Sequence, residues 1–452
     1  MRSPEEKPPS APFRALLAKE FRGVLASRAF WVLLLMLGPL VGYSFVQAIA
    51  LYGEASRSAL QSSALARGLS PLDGILVPTF GAFYVAVTLL FPFAAIRVLG
   101  HERESGSIKL LVQLPYRPAT LIAAKFAAIM GAWAVAFLSV LSALIGWMWL
   151  GGHVGLGETL NLILGHLLYG SLVAAIALFA SAVTESAATA AIVALAFTVG
   201  SWVLDFAIAD GIGVIAWLSR LSLTQTLQVF EQGLLSAGLV AGMVTVIGGL
   251  GALTTVWLPP GVALYAKLAR SAAVVVAAAA LLVLAPNLRT YEDLSEDRRN
   301  SFSHEDERAL SGLRQPLTVT VHLAPEDPRY RDLDRGILAK LRRTLPHASV
   351  RLAGSGRGLF GGYAAGEDET YGEVVYDYGG RSAISRSTSL EEILPLIYGL
   401  AEVTPPEARD DDYKGYPLVA DSGAISIWFY VGLPALVALG WWCSRRRPSI
   451  GN

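Results

Sequence analysis

Long apolar segments dominate this sequence and decide what it can fold into. A helix needs roughly 20 apolar residues to cross a bilayer, because the lipid interior offers the backbone no hydrogen-bond partners. Only 16% of the 452 residues are charged. The sequence therefore predicts an all-α polytopic membrane protein with about eight transmembrane helices. The predicted spans are residues 29–51, 75–99, 120–150, 159–183, 188–209, 235–258, 268–286 and 424–443.

Basic residues gather beside four of the connections between these segments. Short loops rich in Lys and Arg remain on the cytoplasmic side of a membrane. The clusters are Arg14, Lys19, Arg22 and Arg28; Arg97, Arg103, Lys109, Arg117 and Lys125; Lys267 and Arg270; and Arg445, Arg446 and Arg447. Eight spans place all four clusters on one side, so residues 287–422 are predicted to lie outside the cytoplasm. The predicted location is a bacterial cytoplasmic (inner) membrane.

Residues 287–422 form a small α/β extracytoplasmic domain in this prediction. Residues 317–323 alternate apolar and polar side chains as a strand does, and residues 330–345 place their apolar side chains on one face of a helix. Further strands are predicted at 349–352 and 372–378, and a further helix at 390–400. Strands that alternate with helices favour an α/β layer.

These patterns divide the chain into five predicted regions. They are a cytoplasmic N-terminus with an interfacial helix (1–28), a six-span domain (29–258), an inner loop with the seventh span (259–286), the α/β domain (287–422), and the eighth span with a basic cytoplasmic tail (423–452).

The N-terminal segment 12–28 is amphipathic. Helical spacing places on one face Phe13, Leu16, Leu17 and Phe21, with basic residues opposite. This pattern is typical of a helix that lies in the inner membrane interface. The alternative is that the segment is simply the cytosolic start of the first span.

Polar residues near the outer ends of the spans are few. Asp205 and Asp210 lie near the outer end of the fifth predicted span, and Arg220 follows them. They form a candidate polar group at the outer mouth, in which the two carboxylates could meet a cationic substrate or pair with Arg220. Solvation at the membrane interface or a structural role is the favoured explanation. The surrounding segment 210–234 is predicted to be either an amphipathic element at the outer interface or a re-entrant hairpin. The scarcity of charges within the spans argues against an ion-coupled carrier.

The loop that starts at His101 alternates charged and apolar residues up to Pro115. Such alternation is typical of a surface that presses against a partner protein, although an ordinary basic inner loop is the alternative. The run Glu102-x-Glu-x-Gly-x-Ile-x-x-Leu-x-x-x-Pro, with Arg117 and Lys125 after it, resembles the loop after the second span of ABC-2 type permeases. The similarity covers about residues 10–258 and implies a six-helix ABC-2 exporter core.

In that family, this loop and the N-terminal helix contact the ATPase subunit and transmit its motion. The resemblance therefore implies ATPase-coupling roles for Glu102, Arg103, Glu104, Gly106, Ile108, Lys109 and Leu111, and the short inner loop Thr184, Glu185 and Ser186 is assigned to the same surface.

A second resemblance begins after the seventh span. The run Asp293-Leu-Ser-Glu-Asp-Arg-Arg-Asn-Ser-Phe-Ser and the strand at 317–323 look like the auxiliary component of gliding-motility-type ABC systems. The resemblance implies a fusion of a permease with an auxiliary extracytoplasmic domain, here shorter than is usual in that family.

The sequence contains no Gly-x-x-x-x-Gly-Lys-[Ser/Thr] loop, so it lacks that means of holding nucleotide phosphates. The scattered histidines and the single cysteine, Cys443, do not have the spacing of a metal site. We therefore expect no enzyme activity, no metal and no cofactor in this chain, with ATP and Mg²⁺ bound by a separate ATPase.

The predicted function is that of a permease subunit in an ABC-type export system. Its predicted partners are cytosolic ABC ATPase subunits, membrane lipid, and a second copy or a paralogous permease, with no nucleic acid. The alternative is a membrane-anchored scaffold or mechanical transmitter whose outer domain binds a periplasmic protein and which transports nothing.

Overall fold

The computed structural model describes most of the chain. The described residues are 11–108, 110, 116–208, 223–288, 290–324, 327–345, 347–353, 370–406 and 413–446. Four predicted site residues, Lys109, Leu111, Asp210 and Arg220, lie outside them. The backbone of Asp205 lies in helix Ala187–Ile208.

Helices make up most of the described structure. In chain order they are α1 (Ala11–Ala26), α2 (Arg28–Ala59), α3 (Leu72–Glu104), α4 (Pro118–Trp149), α5 (Leu156–Val183), α6 (Ala187–Ile208), α7 (Leu223–Glu231), α8 (Ala237–Trp257), α9 (Leu264–Leu284), α10 (His304–Ser311), α11 (Pro328–Leu333, Asp334–Leu338 and Ala339–Thr344), α12 (Leu390–Ala401) and α13 (Gly423–Ser444). A short helix, Ser63–Arg67, lies between α2 and α3.

Seven of these helices, α2–α5, α8, α9 and α13, are long and apolar enough in the described part to cross a membrane. The polytopic architecture is thus confirmed. The predicted fifth span coincides with α6, whose described apolar part, Ala187–Ser201, is shorter than the other seven.

The bundle has two distinct ends, which the antiparallel packing of α2 and α13 defines. A Cβ atom added to Gly42 would lie 2.3 Å from Phe429, and one added to Gly440 would lie 3.0 Å from Trp31. The end of α13 therefore returns to the start of α2, beside α1. We call this the α1 end, and the opposite end, which carries the α/β domain, the domain end.

The α/β domain is built on a four-stranded sheet. Its strands are β3 (Leu317–Val321), β4 (Ser349–Leu352), β5 (Val374–Tyr378) and β6 (Arg381–Ser385), in the spatial order β4-β3-β5-β6. Strands β3 and β4 are parallel, and the β3–β5 and β5–β6 pairs are antiparallel. Gly379 and Gly380 join β5 to β6 with φ angles of 61° and 82°, as a two-residue hairpin turn requires.

Burial follows the alternation of the central strand. Leu317, Val319 and Val321 are buried, and they pack in one core with Ile337 of α11 and Ile393 of α12. The alternation that predicted this strand therefore reflects a sheet with one face covered by helices.

A short sheet ties this domain to the bundle. Strand β1 (Leu234–Ser236), which directly precedes α8, pairs antiparallel with β2 (Tyr291–Asp293), which follows α9. Gly233 has a φ of 81°, and its carbonyl accepts a hydrogen bond of 2.9 Å from the amide of Leu294. The chain is thereby fixed on both sides of the α8–α9 pair.

The carboxylate of Asp293 organises the loop that follows β2. It accepts hydrogen bonds from the side chains of Ser295 (2.6 Å), Ser301 (2.8 Å) and Asn300 (3.2 Å), and from the amides of Ser295 (3.1 Å) and Asn300 (2.9 Å). Asn300 in turn donates to the carbonyl of Gln232, 2.7 Å away. Burial acts to raise the pKa of Asp293, but these side-chain donors outweigh it and lower the pKa.

Ion pairs add further contacts between this loop and the domain end. Arg299 forms an ion pair of 2.5 Å with Asp73 at the start of α3. His153, in the connection between α4 and α5, lies 2.8 Å from a carboxylate oxygen of Glu296, and its ring stacks on Tyr416 with 3.6 Å between the ring centroids. The loop is thus bound both to α3 and to the connection between α4 and α5.

Helix α7 lies within the bundle, with its first turn well below the domain end. The hydroxyl of Thr224 lies 2.9 Å from the hydroxyl of Tyr84. Tyr84 lies roughly 18 Å from the start of α3, at the helical rise of 1.5 Å per residue. At the other end of α7, Asn161 donates to the carbonyl of Phe230 (3.0 Å). Both alternatives for segment 210–234 stay predictions, because the described part, residues 223–234, is only one arm of a hairpin.

We expect removal of the Asp293 carboxylate to loosen the connection between bundle and domain. Because hydrogen bonds to charged groups contribute about 1.5–3 kcal/mol each, Asp293→Ala should destabilise the purified protein by at least about 2 kcal/mol. The measurement is thermal unfolding, with Asp332→Ala, an exposed carboxylate of the same domain, as the matched control.

The pH dependence of stability follows from the lowered pKa of Asp293. A carboxylate with a lowered pKa in the folded state stabilises the fold above its unfolded pKa of about 3.9, and this contribution is lost as the pH falls further. The unfolding temperature of the natural protein should therefore fall more steeply below about pH 4 than that of Asp293→Asn. Parallel curves would contradict this role.

Candidate functional site

Four charged side chains meet at the α1 end. The ammonium of Lys125, in the second turn of α4, is fully buried and lies 3.0 Å from Glu20 of α1 and 2.6 Å from Glu102 of α3. It also donates to the carbonyl of Val98, 2.9 Å away. Burying an unpaired ammonium costs several kcal/mol, so Lys125 needs a carboxylate partner, and two lie within reach.

Lys19 closes the group from the outside. Its ammonium lies 2.8 Å from Glu102 and 3.0 Å from Glu20, and its side chain is 56% exposed. Burial acts to lower the pKa of Lys19, but hydrogen bonds to both carboxylates raise it overall. Two cations and two carboxylates therefore alternate in space; we call Lys19, Glu20, Glu102 and Lys125 the charge cluster.

The next two residues of α3 bind different helices. Arg103 donates to the carbonyls of Ser181 (3.0 Å) and Ala182 in the last turn of α5. Glu104 accepts a hydrogen bond of 2.8 Å from the amide of Ala187, the first residue of α6. A cation at a helix C-terminus and a carboxylate at a helix N-terminus both complement the helix dipole.

Three consecutive residues thus join four other helices to α3. Glu102 contacts α1 and α4, Arg103 contacts α5, and Glu104 contacts α6. The resemblance predicted that these residues contact a separate subunit. Glu102 is only 13% exposed, so its carboxylate forms its contacts mainly with other residues of this chain.

The structure places the other described members of the predicted ATPase-coupling set nearby. Gly106 has a φ of 71°, which allows the chain to turn after α3, and Ile108 is buried in the core of the bundle. Thr184 donates to the carbonyl of Ala180 (2.8 Å) at the end of α5. Ser186 accepts a hydrogen bond of 3.1 Å from the amide of Thr189, and so caps α6. Glu185 is exposed between them.

The apolar face of α1 packs against the protein. Leu16 is buried, and Phe13, Leu17 and Phe21 are half-buried. The ring of Phe21 approaches Gly131 of α4, where an added Cβ would lie only 2.9 Å away. Helix α1 is thereby held along α4, and its exposed face carries the basic side chains.

Glu20 and Lys125 were not among the predicted site residues. A signal for Glu20 was present, because it lies four residues after Leu16 and four before Val24, on the face of α1 that becomes buried. Lys125 is a charge near the start of a predicted span, which marks it for burial with a partner. That Glu20 is this partner, 105 positions away, follows only from the tertiary structure.

The described residues also include potential metal ligands and one buried histidine. No group of three His, Cys, Asp or Glu side chains suited to a metal occurs among the described residues. His166 is buried in α5, with Nδ1 3.0 Å from the carbonyl of Leu162 one turn earlier. It is a packed side chain of the bundle.

Loss of the Lys125 ammonium should destabilise the α1 end. Lys125→Met leaves Glu20 and Glu102 without their buried counterion, a change that costs about 3–5 kcal/mol. Thermal unfolding of the purified protein measures this effect. Arg22→Met, which removes an exposed cation from α1, serves as the control.

Addition of Glu20→Gln to Lys125→Met should restore part of the lost stability, because Lys19 then neutralises the one remaining carboxylate, Glu102. If the double variant is as unstable as the sum of the single variants, the three side chains do not act as one cluster.

Comparison with known proteins finds a family model that matches the helical part of the chain. The model of a family described as ABC-2 family transporter protein matches residues 14–287, which contain most of α1 and all of α2 to α9. No curated protein and no solved structure matches the chain. The resemblance of the α/β domain to gliding-motility-type auxiliary components stays a prediction, since the match ends before that domain. Because the match covers more than half of its residues, this chain belongs to the ABC-2 family of transporter proteins, which are membrane permease components of ABC systems.

Proposed function

We propose that this chain is a permease subunit that couples ATP hydrolysis by a separate cytosolic ATPase to the export of a substrate. The observation that carries the proposal is the contact of Glu102, Arg103 and Glu104 with α1, α4, α5 and α6. An ATPase that binds at the α1 end reaches five helices through this one segment. ATP and Mg²⁺ are bound by the ATPase.

The exposed residues around the charge cluster are the proposed contact surface. Lys19, His101, Glu104 and Glu185 are exposed at the α1 end. Glu102 and Lys125 lie beneath them and act as positioning residues that hold α1 and α4 to α3. Closure of the ATPase subunits would push on this surface and displace the helices together.

The membrane orientation follows from the same proposal. The α1 end faces the cytoplasm of a bacterial cell, where the ATPase is, and the α/β domain lies on the extracytoplasmic side. The positions of α1 and of the end of α13 at one end of the bundle support this orientation. Dimerisation, with a second copy or a paralogous permease, would bring two ATPase subunits together.

A second candidate function is the transmission of movement to a periplasmic partner without transport. The contacts that favour it are the Arg299–Asp73 ion pair and the pairing of β1 with β2, which attach the α/β domain to the bundle. Helix movement started at the α1 end would then reach the domain. Measured substrate flux from reconstituted vesicles separates this function from export.

We expect a charge reversal on the proposed contact surface to weaken ATPase binding. Glu185→Lys should lower co-purification of the ATPase from the native host by roughly tenfold, a typical effect of about 1.4 kcal/mol for an interface charge. Glu54→Lys, an exposed carboxylate of α2 near the domain end, is the matched control.

The proposal predicts that only the variant at the α1 end loses the ATPase. Equal binding by both variants would place the contact elsewhere. Absence of any ATPase in the purified natural assembly would remove the basis of the proposal.

A further inference from the structure

A large groove runs from near the α1 end of the bundle, where Phe179 and Ala180 of α5 line it, to the domain end. It has a volume of about 1440 Å³ and lies between α5, α6 and α8, with the α/β domain above it. Its walls within the bundle are mainly apolar, as Ile176 of α5, Phe197 of α6 and Val246 of α8 illustrate. Such a surface suits a hydrocarbon chain.

The wall that α8 contributes to the groove matches one leaflet of a membrane in length. On α8 its lining extends from Gly238 to Leu250, which is roughly 18 Å at the helical rise of 1.5 Å per residue. The hydrocarbon of one leaflet is about 15 Å deep, half of the roughly 30 Å core. An extended acyl chain therefore fits along α8.

The upper end of the groove is cationic. Arg342 and Arg343, adjacent residues of α11, line it together with Tyr291. The Nη2 of Arg343 donates to the carbonyl of Asn300 (2.5 Å), and its guanidinium lies 5.9 Å from the centre of the Tyr291 ring.

The charge of Arg343 lacks a carboxylate partner. Its Nε is buried without a hydrogen-bond partner, and within the described residues it forms no ion pair. Burial lowers the pKa of Arg343, although Tyr291, Asp293 and Asp334 act in the opposite direction. Arg342 forms an ion pair of 3.0 Å with Asp334, and its side chain remains 44% exposed. Asp334 is paired with Arg342, and Asp293 is occupied by the hydrogen bonds of its own loop, so no carboxylate among the described residues directly contacts the Arg343 guanidinium.

An apolar wall of one leaflet's length with a cationic end is complementary to one class of molecule. We propose that this groove binds an anionic phospholipid, with an acyl chain along α8 and the phosphate at Arg342 and Arg343. Guanidinium groups form short, charge-assisted hydrogen bonds with phosphate oxygens, whereas the zwitterionic headgroup of a neutral phospholipid brings its own cation. Lipid binding at this site requires neither the ATPase nor transport, so it stands apart from the proposed function.

Native mass spectrometry of the full-length protein tests the binding directly. The protein is purified in detergent with equal amounts of phosphatidylglycerol and phosphatidylcholine, and the retained lipid is counted. We expect retention of phosphatidylglycerol, and a loss of at least about tenfold in Arg343→Gln, because a charge-assisted contact is removed. Arg351→Gln, an exposed arginine on β4, should retain the lipid.

A second pair of variants tests the acyl-chain part without altering a charge. Gly242 lines the groove, and the nearest atom to an added Cβ is in Leu282, 3.8 Å away. Gly242→Leu should therefore fill the groove and abolish lipid retention. Gly248→Leu, on the same helix but outside the groove lining and with open space around it, should have no effect.

Two outcomes would overturn the proposal. In the first, the protein retains phosphatidylglycerol and phosphatidylcholine equally, and neither Arg343→Gln nor Gly242→Leu changes the amount retained. The other is a second copy of the chain in the groove, which disulfide formation between two chains of Val246→Cys, in a Cys443→Ser background, would detect.

Discussion

The burial of the Lys125 ammonium is the constraint on which the α1 end depends. A cation in the interior of a bundle is tolerated only when carboxylates reach it, and here one comes from α1 and one from α3. The positions of three helices are therefore linked by electrostatics as well as by packing. Because exposed ion pairs contribute little, the 0% exposure of Lys125 distinguishes this cluster from a surface salt bridge.

A comparable arrangement fixes the domain end. Asp293 accepts five hydrogen bonds from the loop that follows it, and Arg299 of the same loop forms an ion pair with α3. Helix α3 thus takes part in both polar clusters, through Asp73 near its start and Glu102 near its end. A single helix connects the proposed ATPase surface to the α/β domain.

The sequence predicted those features that depend on local periodicity. The strand at Leu317–Val321 and the helix at Leu390–Ala401 were predictable because burial of one face leaves a repeat of 2 or 3.6 in the residues themselves. The spans were predictable from the length of their apolar runs. The sequence did not predict which charged side chains pair with each other, because Glu20 and Lys125 are 105 positions apart. The position of α7 was also open, since an amphipathic segment has the same pattern whether its apolar face meets lipid or other helices.

The two ends and the groove are connected through α5 and α6. Arg103 holds the last turn of α5, and Glu104 holds the first residue of α6. The same two helices form walls of the groove, through Ile176 on α5 and Phe197 on α6. Under the proposed function, a displacement of the Glu102–Glu104 segment that changes the spacing of α5 and α6 would also change the width of the groove, because packed helices move as rigid elements. The spacing of these two helices is therefore the quantity through which binding at the α1 end can act on a molecule in the groove.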